Sequence, residues 1–481
     1  MITLRVRLED ADEKCLRIGK RVSLGKSHVD AFASDLITME VREADDRKEF
    51  WIGEDLDPFP SNLLAQMDSY RMFVGYEGIK VLLHQTSGRR ILEVVRTAAG
   101  SCPVYITANR NILVASWRFE DVAQAISRPM PHLEACRIYL EHGPCQVRDQ
   151  IIDGMFMLWP GESATFSNDG LSFRQAETPD IVLPATLSES ARVTDEFLRL
   201  IAEAMQPTLL KAIRPLVELS GGLDSSCVAV AACSVKKSIN SYGVFHEGAV
   251  GVQQRRRRRE LVELLEVNDF EFPSFQHPPF AALEVEECTF TPLDDMYRLP
   301  CVYAVDAHHV KEVDLIITGI GGDELTKENT FLRHEWEVSG SLCTSAIVAA
   351  AGRADMFLRR GIWPINPLVS HSVVDFCRAL PKKMRADRLL NILTLVRSGL
   401  RDGFLFPRYY EHYGNVIQRE AALFDFDGAL SKSVVADYGI VEFSPLLERA
   451  REASLRGFSY ELITKLYLLL KLETVLRRYV V

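Results

Sequence analysis

The sequence has no C-x-x-C pair. Its ten cysteines stand apart, at 15, 102, 136, 145, 227, 233, 288, 301, 343 and 377. That scatter excludes a zinc ribbon or a thioredoxin-type motif and reads as small core side chains kept as thiols. No uninterrupted apolar run reaches the ~20 residues of a membrane span. The opening residues, Met1-Ile2-Thr3-Leu4-Arg5, lack a signal-peptide core. A soluble, cytoplasmic protein with no membrane partner is expected. A basic surplus is missing too: 56 Lys and Arg face 66 Asp and Glu, for a net charge of −10. Such a chain is a poor general binder of nucleic acid. There is no internal repeat, and no low-complexity tract beyond five arginines, Arg255 to Arg259.

What is present divides in two. At 481 residues the chain has room for two or three domains. Up to about Gln175 it reads as β-rich. Ile79–His84 and Ile91–Val95 flank the turn Ser87-Gly88-Arg89, and Pro103–Thr107 and Ile112–Ala115 flank another. Met155–Leu158 and Ser163–Phe166 bracket Trp159-Pro160-Gly161 and read as a third pair. Tight turns between strands imply antiparallel sheet. Ala176 to Leu187, with two prolines, reads as the linker. The pattern then changes to a helix over Ser188–Lys211, capped by Ser188 or Ser190. Three buried-strand candidates follow, Pro215–Leu219, Ser241–Phe245 and Val313–Ile317. Strands separated by helices imply a doubly wound parallel sheet. From Ile347 on, the chain reads as mostly helical. The expected class is α/β, with domains at 1–178 and 188–481.

The chemistry concentrates in Ser220-Gly221-Gly222-Leu223-Asp224-Ser225-Ser226, between a strand and a helix. Two glycines let the backbone turn tightly and approach an anion. The helix that follows offers unpaired N–H groups and its positive dipole end. Three serine hydroxyls add donors. Asp224 would repel phosphate unless a cation stands between, which implies Mg²⁺. The loop matches neither a Walker nor a Rossmann fingerprint. The bland alternative is an ordinary strand–turn–helix connection.

This heptapeptide resembles the pyrophosphate loop of the N-type ATP pyrophosphatases, which include the asparagine synthetases. A second stretch, Thr318-Gly319-Ile320-Gly321-Gly322-Asp323-Glu324-Leu325, resembles that family's second acidic loop. The resemblance implies ATP as co-substrate, with Asp224 and Asp323 holding Mg²⁺ on its phosphates. It also implies adenosine contacts at Leu219, Val244 and Gly319, with Gly321 in the nucleotide loop. Gly100-x-x-Pro103-Val104-Tyr105, Leu113–Ser116 and Trp159-Pro160-Gly161 look like parts of the family's glutaminase-type domain, an Ntn-hydrolase-like fold. Asn366–Phe376 followed by Leu380-Pro381 looks like a later synthetase stretch.

The chain departs from that family in three places. Glutamine-using members need cysteine directly after Met1; here position 2 is Ile, and the nearest cysteine is Cys15. A degenerate N-terminal domain is implied. Asparagine-forming members carry Glu where this chain has Ile320, and isoleucine cannot move a proton. Both changes resemble the branch of β-lactam synthetases and lasso-peptide cyclases, which close rings with an amine already on the substrate. Third, the family's catalytic lysines have no clear counterpart. One register puts Leu393 at the first lysine, another Arg388, and Arg401 stands in the following stretch. Arginine supplies charge without donating a proton at neutral pH.

The expected activity is adenylation of a carboxylate followed by amide formation. The expected substrate is a peptide or small molecule bearing carboxylate and amine, with a precursor peptide and its processing protease as partners. Ammonia-dependent amidation and a non-catalytic ATP-binding scaffold are the alternatives. Asp294-Asp295 are candidate substrate contacts along with Ile320, against a helix cap. His308-His309 read as helix surface, and Arg255–Arg259 as a solvated face or a landing site for an acidic partner.

Overall fold

The computed structural model describes residues 1–44, 46–54, 77–98, 100–174, 183–276, 279–294, 297–307, 312–326, 344–409 and 414–480. Asp295, His308, His309, Cys343 and most of the expected linker lie outside the described residues.

Alternation builds the first half. In the strand Ile2–Arg7 the residues Ile2, Leu4 and Val6 are buried while Arg5 is exposed. This strand is central in a seven-stranded antiparallel sheet, between Ile112–Ser116 and Ser27–Ala31. A six-stranded antiparallel sheet runs from Gly170–Arg174 through Ser163–Ser167, Arg89–Arg96, Gly78–Thr86 and Arg47–Glu54 to Ile37–Ala44. Two of the three expected hairpins form, Gly78–Thr86 with Arg89–Arg96 and Tyr105–Asn109 with Ile112–Ser116. The third does not. Phe156–Met157 joins the first sheet and Ser163–Ser167 the second. Trp159-Pro160-Gly161 is therefore a crossing between sheets. Its indole is buried and donates to Val147 O at 2.8 Å.

The second half is built on five parallel strands. Their order across the sheet is Asn268–Pro273, Asn240–Phe245, Pro215–Glu218, Leu315–Ile317 and Trp363–Ile365. In chain order that is third, second, first, fourth, fifth, a doubly wound sheet. The direction of winding reverses between Pro215–Glu218 and Leu315–Ile317. Ligands of such sheets bind beyond the carboxyl ends of the strands at this point. The helix expected from Ser188 spans Val193–Lys211, and its cap is Arg192 without a side-chain hydrogen bond, so neither serine caps it. The C-terminal part is helical, ending in Tyr460–Tyr479. Among the described residues, no helix is long and apolar enough to cross a membrane.

The halves meet through specific polar contacts. Trp363 Nε1 donates to Glu54 Oε1 at 2.8 Å, and Asn366 Nδ2 to Ser101 Oγ at 2.5 Å. Arg359 forms a two-pronged pair with Glu120 at 2.8 and 2.9 Å.

Candidate active site

Both acidic loops lie at the reversal point. Ser220–Ser226 leaves the strand Pro215–Glu218 and enters the helix Leu223–Val235, with Gly222 as its N-cap. Gly221 has φ +88°, a left-handed backbone that favours glycine. The second loop leaves Leu315–Ile317 and enters the short helix Gly322–Thr326. The two loops touch. A Cβ on Gly319 would lie 2.8 Å from Ser225 N, and one on Gly322 would collide with the Asp224 carboxylate.

The serines divide their work. Ser220 Oγ accepts from Gly222 N at 3.1 Å and lies 3.1 Å from Ser225 Oγ, so the loop carries its own bracing. Ser226 is buried and donates to Gly222 O at 2.6 Å. Its hydroxyl therefore braces the helix start rather than facing a ligand. Leu219 is fully buried, and Val244 packs with Leu216 and Tyr242. Leu219, Gly221, Ser226 and Val244 do not line the cleft itself, although they were expected there.

A cleft of about 1070 Å³ opens over the loops. Ser220, Gly222, Leu223, Asp224, Ser225, Gly319, Ile320, Gly321, Asp323 and Arg388 line it. Arg388 donates to Asp323 Oδ1, and Asn391 Nδ2 to Asp224 Oδ1. Asp387 and Arg388 both take left-handed backbone, at φ +52° and +59°. Such strain in non-glycine residues clusters at ligand sites. Of the two residues that the registers offered, Arg388 lines the cleft, while Leu393 is 39% exposed and does not. Arg401 caps the short helix Asp402–Leu405, is exposed, and does not line the cleft.

Asp294 is also elsewhere. Its carboxylate is 3% exposed and sits between Arg298 and Lys471, the latter at 3.0 Å. Arg298 also reaches Asp355 at 2.9 Å. A side chain committed to two buried cations is structural, so the substrate-contact expectation is corrected.

Several cleft residues escaped the sequence reading. Arg353 pairs with Glu218 at 3.6 Å, and both line the cleft. Asn391 comes from the helix Leu389–Arg397, 167 residues after Asp224. The arginine run is only partly the solvated face expected: Arg256 and Arg259 are exposed, the other arginines less so. It lies on the helix Gly248–Leu265, with Arg257 and Arg258 buried. One signal pointed there: Gln254, Arg257, Arg258 and Leu261 recur at helical spacing.

In the N-terminal half, Met1 is fully buried, and burial pushes its α-amine down to about 6. Burial, reinforced by Glu43, pushes the Cys15 thiol up to about 11, so it is no ready nucleophile. Every described cysteine is a free thiol. The Glu54 carboxyl, fully enclosed, is pushed up to about 7, chiefly by burial.

Comparison with known proteins yields little. No family model matches the chain, and no curated protein sequence matches it. Among solved structures, it is similar to an NH3-dependent NAD synthetase from Campylobacter jejuni, at 15% identity and a TM-score of 0.26. That match covers 58% of this chain and 92% of the other. It is also similar to an NMN synthetase from Francisella tularensis, at 14% identity and a TM-score of 0.24, over 56% and 95% of the two chains. Superpositions this loose carry no argument about the site.

Proposed function

We propose that this protein is an ATP-dependent enzyme that activates a carboxylate as an acyl-adenylate and couples it to an amine. The observation that carries the reading is the meeting of two aspartate-bearing, glycine-rich loops at the reversal point of a doubly wound sheet. An ordinary strand–turn–helix connection does not require a second loop packed on the first, nor Arg388 and Asn391 engaging one aspartate each.

The residues fit Mg²⁺ that arrives with a polyphosphate. Among the described residues, no group of three or more His, Cys, Asp or Glu could hold a metal ion by itself. Asp224 and Asp323 would supply the two carboxylates that Mg²⁺ commonly takes from a protein, the phosphates and water supplying the rest. When bound, the ion neutralises charge on the phosphates. The chain's own residues would do the remainder. Backbone N–H groups at the helix start, with the Ser220 and Ser225 hydroxyls, would bind the phosphates. Arg388 offers charge to the leaving pyrophosphate. A substrate carboxylate attacks the α-phosphorus and pyrophosphate departs. An amine then attacks the acyl carbon and AMP departs.

Ile2 and Ile320 favour an amine carried by the substrate itself over ammonia or glutamine. A peptide or amino-acid-derived substrate that closes a lactam ring is the narrower proposal. Residues 1–178 would form a glutaminase-like domain without a nucleophile, and residues 188–481 the adenylating domain. The engagement of Asp323 by Arg388 favours one other reading, a nucleotide-binding subunit without turnover. Pyrophosphate release from Mg-ATP with candidate carboxylates separates the two: release of AMP supports the enzyme, and nucleotide-dependent melting shifts without AMP support the subunit. Full turnover by Asp224→Ala would end the enzyme reading.

A further inference from the structure

We propose that Phe406 is the wall on which the base of ATP stacks, on the flank of the phosphate loop away from the second acidic loop. This rests on the ATP reading above. It gives the base a contact that Leu219 and Val244, which do not line the cleft, leave unfilled.

The cleft has two chemistries. Where the acidic loops meet, Asp224, Asp323 and Arg388 make its lining charged. One continuous stretch of the lining, Leu405, Phe406, Pro407 and Tyr409, is instead apolar and aromatic. A nucleoside triphosphate divides in the same way, into a charged tail and a flat base with a π-face.

The strand order sets the side. Asn240–Phe245 and Leu315–Ile317 lie on opposite sides of Pro215–Glu218, so the second acidic loop leaves from one flank of the phosphate loop. The helix Gly248–Leu265 follows Asn240–Phe245 on the other flank. Gln254 ties this helix to the phosphate loop: its Nε2 donates to Ser220 O at 2.8 Å and to Val244 O at 3.0 Å. The neighbouring Gln253 holds the aromatic stretch. Its Oε1 accepts from Arg408 N at 2.8 Å and Tyr409 N at 3.0 Å, and its Nε2 donates to Tyr409 O at 2.8 Å. One turn on, Arg257 Nε donates to Phe404 O at 2.8 Å. The stretch is pinned at both ends to a helix that is itself pinned to Ser220. A triphosphate that lies on Ser220–Ser226 and faces Asp323 directs its base to this flank.

Between the pins the chain turns Phe406 outward. The short helix Asp402–Leu405 stops there, and Pro407 disfavours helical backbone in the residue before it. Phe404 is fully buried and Arg408 lies over the Tyr409 ring at 5.4 Å, whereas Phe406 is 63% exposed. Phe406 is the open ring of the stretch, on a backbone already held in place. A surface ordered before the ligand arrives gives up less entropy on binding.

The test is calorimetric binding of Mg-ATP, AMP and inorganic pyrophosphate to the full chain and its variants, with a melting temperature for each. Phe406→Ala should weaken Mg-ATP and AMP about 5- to 150-fold, the range for losing one base–aromatic stack, and leave pyrophosphate unchanged. Phe406→Trp should keep both nucleotide affinities, and its indole fluorescence should respond to AMP but not to pyrophosphate. Equal losses for pyrophosphate and AMP in Phe406→Ala would mean that the residue only shapes the phosphate loop, and would overturn the assignment. So would wild-type Mg-ATP affinity in Phe406→Ala while Asp224→Ala has lost Mg-ATP; the ATP reading then survives alone, and the wall falls to an apolar group of the carboxylate substrate. A wild-type chain that binds neither Mg-ATP nor pyrophosphate removes the ATP reading and the stack together.

Discussion

Gly322→Ala tests the contact on which the site depends. Gly322 opens a short helix, and its backbone lies outside the left-handed region, so alanine is conformationally acceptable there. The difficulty is space, because the new Cβ would run into the Asp224 carboxylate. Asp224 cannot step aside freely, since Asn391 holds its Oδ1. Either that hydrogen bond breaks or the two loops part. Overpacking of this kind costs about 1–3 kcal/mol. If the cost falls on the nucleotide-binding arrangement, Mg-ATP affinity drops about 5- to 150-fold, at 1.4 kcal/mol per decade. Titration calorimetry with Mg-ATP reads the loss, and a thermal melt confirms that the variant folds. A folded Gly322→Ala protein with wild-type Mg-ATP affinity would refute the claim that the loops must touch to hold nucleotide.

Two further outcomes follow from buried charge. Arg298→Met removes one of two cations from each of Asp294 and Asp355, which keep Lys471 and Arg359, and should destabilise the protein by about 1.5–3 kcal/mol in chemical denaturation. Glu54 concerns pH. A carboxyl whose pKa is raised on folding holds its proton more tightly in the folded state, so stability falls as pH rises from its unfolded value, 4.5, to about 7. The shift corresponds to about 3 kcal/mol at 1.36 kcal/mol per pH unit. Denaturation midpoints between pH 5 and 8 should decline in the wild type and decline less in Glu54→Gln; equal slopes would contradict this assignment.

The sequence pattern made the two loops and the parallel sheet legible because their signals are local. Glycines at a strand–helix turn and β-branched strands such as Leu315–Ile317 need no knowledge of distant partners. The strands Asn268–Pro273 and Trp363–Ile365 went unread: the first carries polar residues at half its positions, and the second has a proline at its centre, which reads against a strand. The arginine run misled for a physical reason. Charge reads as surface, yet Arg258 is buried because Asp269 neutralises it and Arg257 because Phe404 receives it. Those partners lie 11 and 147 residues away. Asp294 misled in the opposite sense: an acidic pair near a binding loop suggests a ligand contact, whereas Lys471 at the other end of the half claims it.

The seam between the halves decides how the molecule can be handled. Separating the C-terminal half from the N-terminal one would strip the Trp363 indole from Glu54 and leave Arg359 without its two-pronged partner Glu120. It would also free Asn366, which otherwise spans from Ser101 to Thr318 at the root of the second acidic loop. A C-terminal fragment expressed alone would therefore begin life with a wet tryptophan and an untethered nucleotide loop. Its inactivity would say nothing about which half does the chemistry, so dissection of this protein should proceed by point substitution, not by truncation.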